Sequence, residues 1–136
     1  MPTRRGEALV LDASAVVEAL LGSATGLAVR RRMRATQLHA PAHLDAEVLS
    51  ALARLHRAND VAAATVTTAL ADLLAAPIAR HPLPALLNPA WQKLDQLRLV
   101  DALYVVLAEQ LQARVLTTDA RLACSFEAVE LVAAAS

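Results

Sequence analysis

The sequence predicts an α/β domain of three layers, α/β/α, around a central, mostly parallel sheet of four or five short strands. Three observations lead there. Short apolar runs alternate with stretches of helical period along the whole chain, the pattern of a parallel sheet covered on both faces. The 136 residues suffice for one core and show no internal repeat, low-complexity block or linker, so residues 1–136 are read as a single domain. The composition is 57% hydrophobic but only 2% aromatic, so the core is made of Leu, Val and Ala, with Ala suiting closely packed helices.

The elements follow in order. Glu7–Leu11 is a Val- and Leu-containing run bounded by Gly6 and Asp12, and reads as a buried strand. Ser14–Leu21 reads as a helix that stops at Gly22, and a second helix, about Ala24–Ala35, carries Arg30, Arg31, Arg32 and Arg34. Leu38–Ala40 reads as the second strand, because the residue before Pro41 favours extended backbone. From about Ala42 to Ala58, Leu44, Val48, Leu49, Leu52 and Leu55 fall at helical spacing, and Asn59-Asp60 ends that helix. Val61–Ala75 makes another, whose scarce charge suits plain core or a shared interface. Pro77 leads into a strand at Ile78–His81; Pro82, Pro84 and Pro89 then punctuate a connection into a helix around Ala90–Leu97. From Leu97 to Ala123 the chain reads as a helix with Asp101 at its front, a strand at Arg114–Thr117, and a Thr-Thr-Asp corner where Asp119 opens a short helix. Glu127–Val132 reads as an edge strand before an Ala-rich end.

Several function classes drop out. Between Val61 and Ala79, Asp72 and four Thr or Pro residues interrupt the apolar stretch, and no uncharged run approaches the ~20 residues of a membrane span. Arg4 and Arg5 precede an apolar run, but Glu7, Asp12 and Glu18 spoil a signal peptide, so the expectation is a cytoplasmic protein with no membrane partner. Thirteen basic residues balance thirteen acidic ones, so net charge does not argue for nucleic acid, and the Arg30–Arg34 cluster reads as a solvated helix face. The single Cys124 permits no internal disulfide, lacks a cysteine partner for zinc, fits a reducing compartment and reads as a small core residue.

What stands out is acidic. Ligands of open α/β sheets sit outside the carboxyl ends of the strands. Asp12 and Asp119 follow two strands there, and the helix opened by Asp101 starts on the same side because it runs antiparallel to the strand after it. Each aspartate is also a favoured helix N-cap, stabilising by ~1 kcal/mol. Together they repel unless a divalent cation neutralises them, which favours a metal site. A fourth acid comes from the helix after Pro41, where periodicity does not choose between Asp45 and Glu47.

These residues resemble the PIN-domain family, specifically the ribonuclease toxins of bacterial VapBC toxin–antitoxin pairs. The resemblance is carried by VLDASAVVEALL from Val10, APAHLDAEVLSAL from Ala40 and LRLVDALYVVLAEQLQARVLTTDARLA from Leu97, in the family's order and separations; Val61 to Pro89 carries no family motif. It implies Asp12, Glu47 rather than Asp45, Asp101 and Asp119 as catalytic and metal-binding acids, with Ser14 and Thr117 as the small hydroxyl residues beside them. It also implies a PIN-like fold and a Mg²⁺- or Mn²⁺-dependent endoribonuclease, the toxin of a type II pair, hydrolysing tRNA or rRNA. The implied partners are RNA, a cognate VapB-like antitoxin that docks near the acidic edge, and a second copy in a homodimer.

On this reading Asp12 and Asp101 are the first direct ligands, since Mg²⁺ is usually gripped by one or two carboxylates and keeps several waters. Glu47 and Asp119 complete a second metal site or hold metal-bound water, and Ser14 and Thr117 orient the carboxylates. Arg121, two residues after Asp119, is a candidate phosphate contact, with a surface salt bridge as its ordinary alternative. His39, His43, His56 and His81 show no metal spacing, Pro41 denying His39 and His43 a shared helix. With only Trp91, Tyr104 and Phe126 as aromatics, there are few platforms for stacking bases, so recognition rests on phosphates and RNA shape; Trp91 reads as core or interface.

Other enzymes fit less well. A haloacid-dehalogenase-type phosphatase wants a second Asp where Ser14 stands, and a receiver domain wants a late lysine, whereas the only lysine is Lys93. Flap-type DNA nucleases need more chain for their DNA-gripping helices. The alternatives kept are a protein-binding module, its Ala/Leu-rich helices holding a partner helix in a groove, and another PIN-like nuclease acting on structured nucleic acid.

Overall fold

The computed structural model describes residues 6–133; Arg4, Arg5 and the last residues of the Ala-rich end, 134–136, lie outside the described residues. The elements run β1 (Ala8–Leu11), α1 (Ala13–Leu21), α2 (Ala24–Met33), β2 (Gln37–Pro41), α3 (Leu44–Arg57), α4 (Ala63–Ala75), β3 (Ile78–His81), α5 (Pro84–Trp91), α6 (Leu99–Leu111), β4 (Arg114–Thr117), α7 (Ala120–Ala123) and β5 (Val129–Leu131). The five strands form one sheet in the order β3-β2-β1-β4-β5, and every pairing is parallel. Parallel neighbours need crossover connections, and helices supply them here.

β1 lies at the centre because Leu9, Val10 and Leu11 have no polar face to offer, and all three are fully buried. It pairs with β2 through Leu9↔Leu38 and with β4 through Val10↔Val115. The chain steps outward from β1 to β2 and β3, then returns to β4 on the other flank. The β1/β4 junction is therefore the topological switch point, where such sheets open a crevice at their carboxyl ends. α6 packs across β1, β2 and β4 with α5 against it, while α1 packs on α2, α3 and α4. α1 meets α2 at Gly26, where an added Cβ would stand 1.8 Å from the Glu18 carbonyl oxygen, so only glycine allows the approach. α1 and α2 are bent by 110° at their junction, and among the described residues no single helix is long and apolar enough to cross a membrane.

The fold departs from the sequence reading in several places. The helix expected around Ala90–Leu97 is instead α5, Pro84–Trp91, followed by turns. Pro84 stands at the start of that helix, where its fixed φ favours initiation and its missing N–H costs nothing. Pro89 lies inside, and the helix ends two residues later. Cys124 is exposed at the end of α7, not a core residue, and Trp91 is 58% exposed, so core does not account for it. α4 is not a core helix either: only Ala69 and Leu73 are buried, and Leu74 is 81% exposed. The arginine cluster is not simply a solvated face. Arg32 is buried, with Nη2 2.5 Å from Glu7 Oε1 and Nε 2.7 Å from Glu130 Oε2, tying α2 to the start of β1 and to the edge strand β5.

Candidate active site

Asp12 follows β1 at the switch point and is only 7% exposed. Its Oδ1 accepts the Ala15 N–H at 3.1 Å, which makes it the N-cap of α1, and the Ser14 hydroxyl at 2.7 Å. Its Oδ2 accepts the Thr117 hydroxyl at 2.6 Å across the junction with β4. Both hydroxyl protons are thus committed to Asp12, so the 3.2 Å approach of Ser14 Oγ to Thr117 Oγ1 is a close contact rather than a third bond. The two oxygens instead accept backbone N–H groups from the corner after β4, Thr118 N at 3.1 Å on Ser14 and Asp119 N at 2.9 Å on Thr117. Burial pushes the Asp12 carboxyl above its ordinary value of 3.8; the Thr117, Ala15 and Ser14 hydrogen bonds oppose this, and the charge of Asp101 adds to it.

Asp101 lies in the first turn of α6 but does not cap it; Arg98 occupies the cap position, without a side-chain cap bond. Arg98 Nε donates to Asp101 Oδ2 at 3.0 Å, and Nη2 approaches Oδ1 at 3.5 Å. Asp119 caps α7, accepting the Arg121 N–H at 2.9 Å, while Arg121 Nη2 lies 3.1 Å from Asp119 Oδ2. Partial burial pushes Asp119 up, but the Arg121 guanidinium and backbone N–H outweigh it and hold the carboxyl below its usual value. Arg121 is therefore engaged in the surface salt bridge weighed as its ordinary role.

Glu47 enters from the first turn of α3. Its Oε1 accepts the hydroxyl of buried Tyr104 from α6 at 2.5 Å, and His43 Nε2 stands 3.4 Å away. Burial, then the Glu47 bond and charge, keep the Tyr104 phenol far above its ordinary value and so protonated. Asp45 points elsewhere, to Arg80 at 2.9 Å on β3. The ambiguity that periodicity left is thus resolved in space: Glu47 lines the cleft, together with Ser14 and Thr118, and Asp45 does not. That cleft, about 530 Å³, runs between α1 and α3 with Arg54 along its wall.

Asp12, Glu47, Asp101 and Asp119 all stand at the carboxyl edge of the sheet, with Asp12 and Asp101 within electrostatic reach of each other. They do not form a closed cage: among the described residues no three His, Cys, Asp or Glu side chains are grouped so as to hold a metal ion. Mg²⁺ asks for less, being held by one or two carboxylates plus waters. An all-oxygen pair, one member buried and fixed by two hydroxyls, suits such an ion, and a cation there would relieve what raises Asp12.

Three residues at this edge escaped the sequence reading as site residues. Tyr104 is three positions after Asp101, one helical turn, which is the signal that could have found it. His43 precedes Glu47 by four, and Arg98 precedes Asp101 by three. His39 and His81 meet on neighbouring strands, Nδ1 to Nε2 at 2.9 Å, and among the described residues no third His, Cys, Asp or Glu joins them as a metal ligand.

The family profile described as "PIN domain" matches residues 9–125. The chain is 51% identical over 123 residues to the protein named ribonuclease VapC3 of Mycobacterium tuberculosis, covering 90% of each. It is 38% identical over 128 residues to the one named ribonuclease VapC12 of the same organism, covering 92% of this chain and 99% of that one. Among solved structures it resembles Mycobacterium tuberculosis VapC20, described as a Sarcin-Ricin loop cleaving toxin, with a TM-score of 0.66 at 19% identity over 90% of this chain and 98% of that one. At that identity the likeness speaks for the fold.

Proposed function

This chain belongs to the PIN-domain family, in its VapC type, and on that premise we propose that it is a metal-dependent endoribonuclease, the toxin of a toxin–antitoxin pair. The observation that carries the proposal is the buried Asp12 carboxylate, fixed by Ser14 and Thr117 at the switch point and within reach of Asp101's charge. An N-cap needs one acceptor; two hydroxyls trained on the same carboxylate describe an oriented ligand. The kinship with proteins named ribonucleases supports RNA as the substrate class.

In this mechanism Asp12 and Asp101 would hold the ion, Mg²⁺ or Mn²⁺, and Glu47 and Asp119 would complete a second metal site or hold metal-bound water. When bound, the ion supplies Lewis acidity toward a phosphodiester and lowers the pKa of a bound water. Ser14 and Thr117 keep both oxygens of Asp12 from rotating. Tyr104 holds Glu47 at the cleft by donating a hydrogen bond to its carboxylate. The cleft between α1 and α3 receives the RNA strand, and tRNA or rRNA is the target. The same reading gives the chain a VapB-like antitoxin and a second copy as partners, a cytoplasmic location, and one domain over residues 1–136. Exposed Leu87, Trp91, Leu99 and Val100, which line one shallow recess, support a protein partner, for apolar surface gathered in this way is disfavoured in solvent.

The test is cleavage of cellular RNA by the purified chain with Mg²⁺ or Mn²⁺, with end mapping to identify the target. Chelation, Asp12→Asn and Asp101→Asn are each expected to reduce cleavage to background. Cleavage untouched by both substitutions would overturn the assignment of the site. Antitoxin binding without cleavage by the wild type would favour a binding module instead.

A further inference from the structure

We propose that Arg98 is the resident counter-ion of the acidic edge, which a divalent cation must displace from Asp101 and which is then free at the mouth of the site for an RNA phosphate. The inference rests on the metal-dependent reading above and adds a residue to it. Arg98 stands at the N-cap of α6, the one place on a helix where a cation is electrostatically wrong and where Ser, Thr, Asp or Asn is preferred. A residue that breaks its local rule is being used for something else.

What it does instead is visible. Its guanidinium forks onto Asp101 at 3.0 and 3.5 Å. It lies near enough to Asp119 and Glu47 to feel both charges, so one cation answers to three of the four edge carboxylates. It lines a recess of about 320 Å³ together with Glu47, Leu99 and Val100, and it is 68% exposed, so it swings away without unpacking anything. A carboxylate held by this fork is not presenting both oxygens to a metal, and a divalent ion beside the guanidinium is repelled by it. Arg121 pairs with Asp119 through Nη2 at 3.1 Å, without the two-nitrogen fork that Arg98 makes on Asp101.

The experiment is calorimetric titration of the full chain with Mn²⁺ at low ionic strength, on wild type, Arg98→Gln, Arg98→Lys, and Arg31→Gln as a distant control of equal charge change. Arg98→Gln is expected to tighten the Mn²⁺ Kd about two- to fivefold, the scale of one exposed ion pair. Arg98→Lys, which keeps the charge, and Arg31→Gln should remain near wild type. With RNA as substrate, the loss in Arg98→Gln should fall on KM and be largely rescued by Arg98→Lys. An Arg98→Gln Kd equal to or weaker than wild type overturns the inference, as does Arg98→Lys behaving like Arg98→Gln. Absence of Mn²⁺ binding by the wild type, or binding that survives Asp12→Asn, instead overturns the metal reading beneath it.

Discussion

Replacing Thr117 by valine asks how firmly Asp12 is held. Thr117 is fully buried, and valine keeps nearly its shape while deleting the oxygen that donates to Asp12 at 2.6 Å and accepts from Asp119 N at 2.9 Å. A hydrogen bond to a charged group contributes roughly 1.5–3 kcal/mol, and stranding the Asp119 N–H adds about 1 kcal/mol. The expected loss is about 2.5–4 kcal/mol. For 136 residues the unfolding entropy is about 0.3 kcal/mol per degree, so Tm should fall by about 9–14 °C. The assay is calorimetry at neutral pH with chelator present, so that no metal effect is mixed in. A fall below about 3 °C would refute the reasoning, since it would mean that the Thr117 hydroxyl is not trained on a buried charge.

Glu47→Gln should weaken Mn²⁺ binding more than Asp45→Asn, because Glu47 lines the cleft while Asp45 is bound to Arg80; the reverse order by calorimetry would contradict the site. With its carboxyl raised above 3.8 by burial, folded Asp12 keeps a proton that the unfolded chain has already released. Metal-free stability from this group therefore falls as pH rises from about 3.8 to the raised value, and is level beyond it. In urea melts across that range the stability of Asp12→Asn relative to wild type should grow with pH, and a flat difference would contradict the shift. Gly26→Ala forces a Cβ to 1.8 Å from the Glu18 carbonyl oxygen, and should cost about 3 kcal/mol, the upper end of overpacking, or prevent folding. A change below about 1 kcal/mol would show that α1 and α2 separate freely.

Where the sequence could be read, local chemistry decided the structure. β3 and β4 have the ends expected of them, Ile78–His81 and Arg114–Thr117, because each is a short extended run fenced by a breaker or a helix end. The five parallel strands follow from apolar runs separated by helices long enough to cross over. The proline-rich stretch is ambiguous in sequence because proline stops a helix behind it but starts one ahead of it, and only the tertiary fold selects which role applies. Trp91, Cys124 and α4 show the same limit: apolar composition says that a residue favours burial, not that a neighbour arrives to bury it. At the acidic edge the positions were partly legible, since Asp12 and Asp119 cap helices and Asp101 and Glu47 sit in first turns, although periodicity did not choose Glu47 over Asp45. Their supports were less so. The Tyr104–Glu47 bond joins residues 57 apart, and Arg32 reaches 98 positions to Glu130, contacts that no window of sequence displays.

Asp12 and Asp101 are proposed to hold a divalent ion at the carboxyl edge of the sheet. Anomalous diffraction from Mn²⁺-soaked crystals locates that ion independently of any activity. An anomalous peak is expected against both carboxylates, with Ser14 and Thr117 still on Asp12 and the Arg98 fork released from Asp101. A peak confined to His39 and His81, or none at the acidic edge at saturating Mn²⁺, would contradict it.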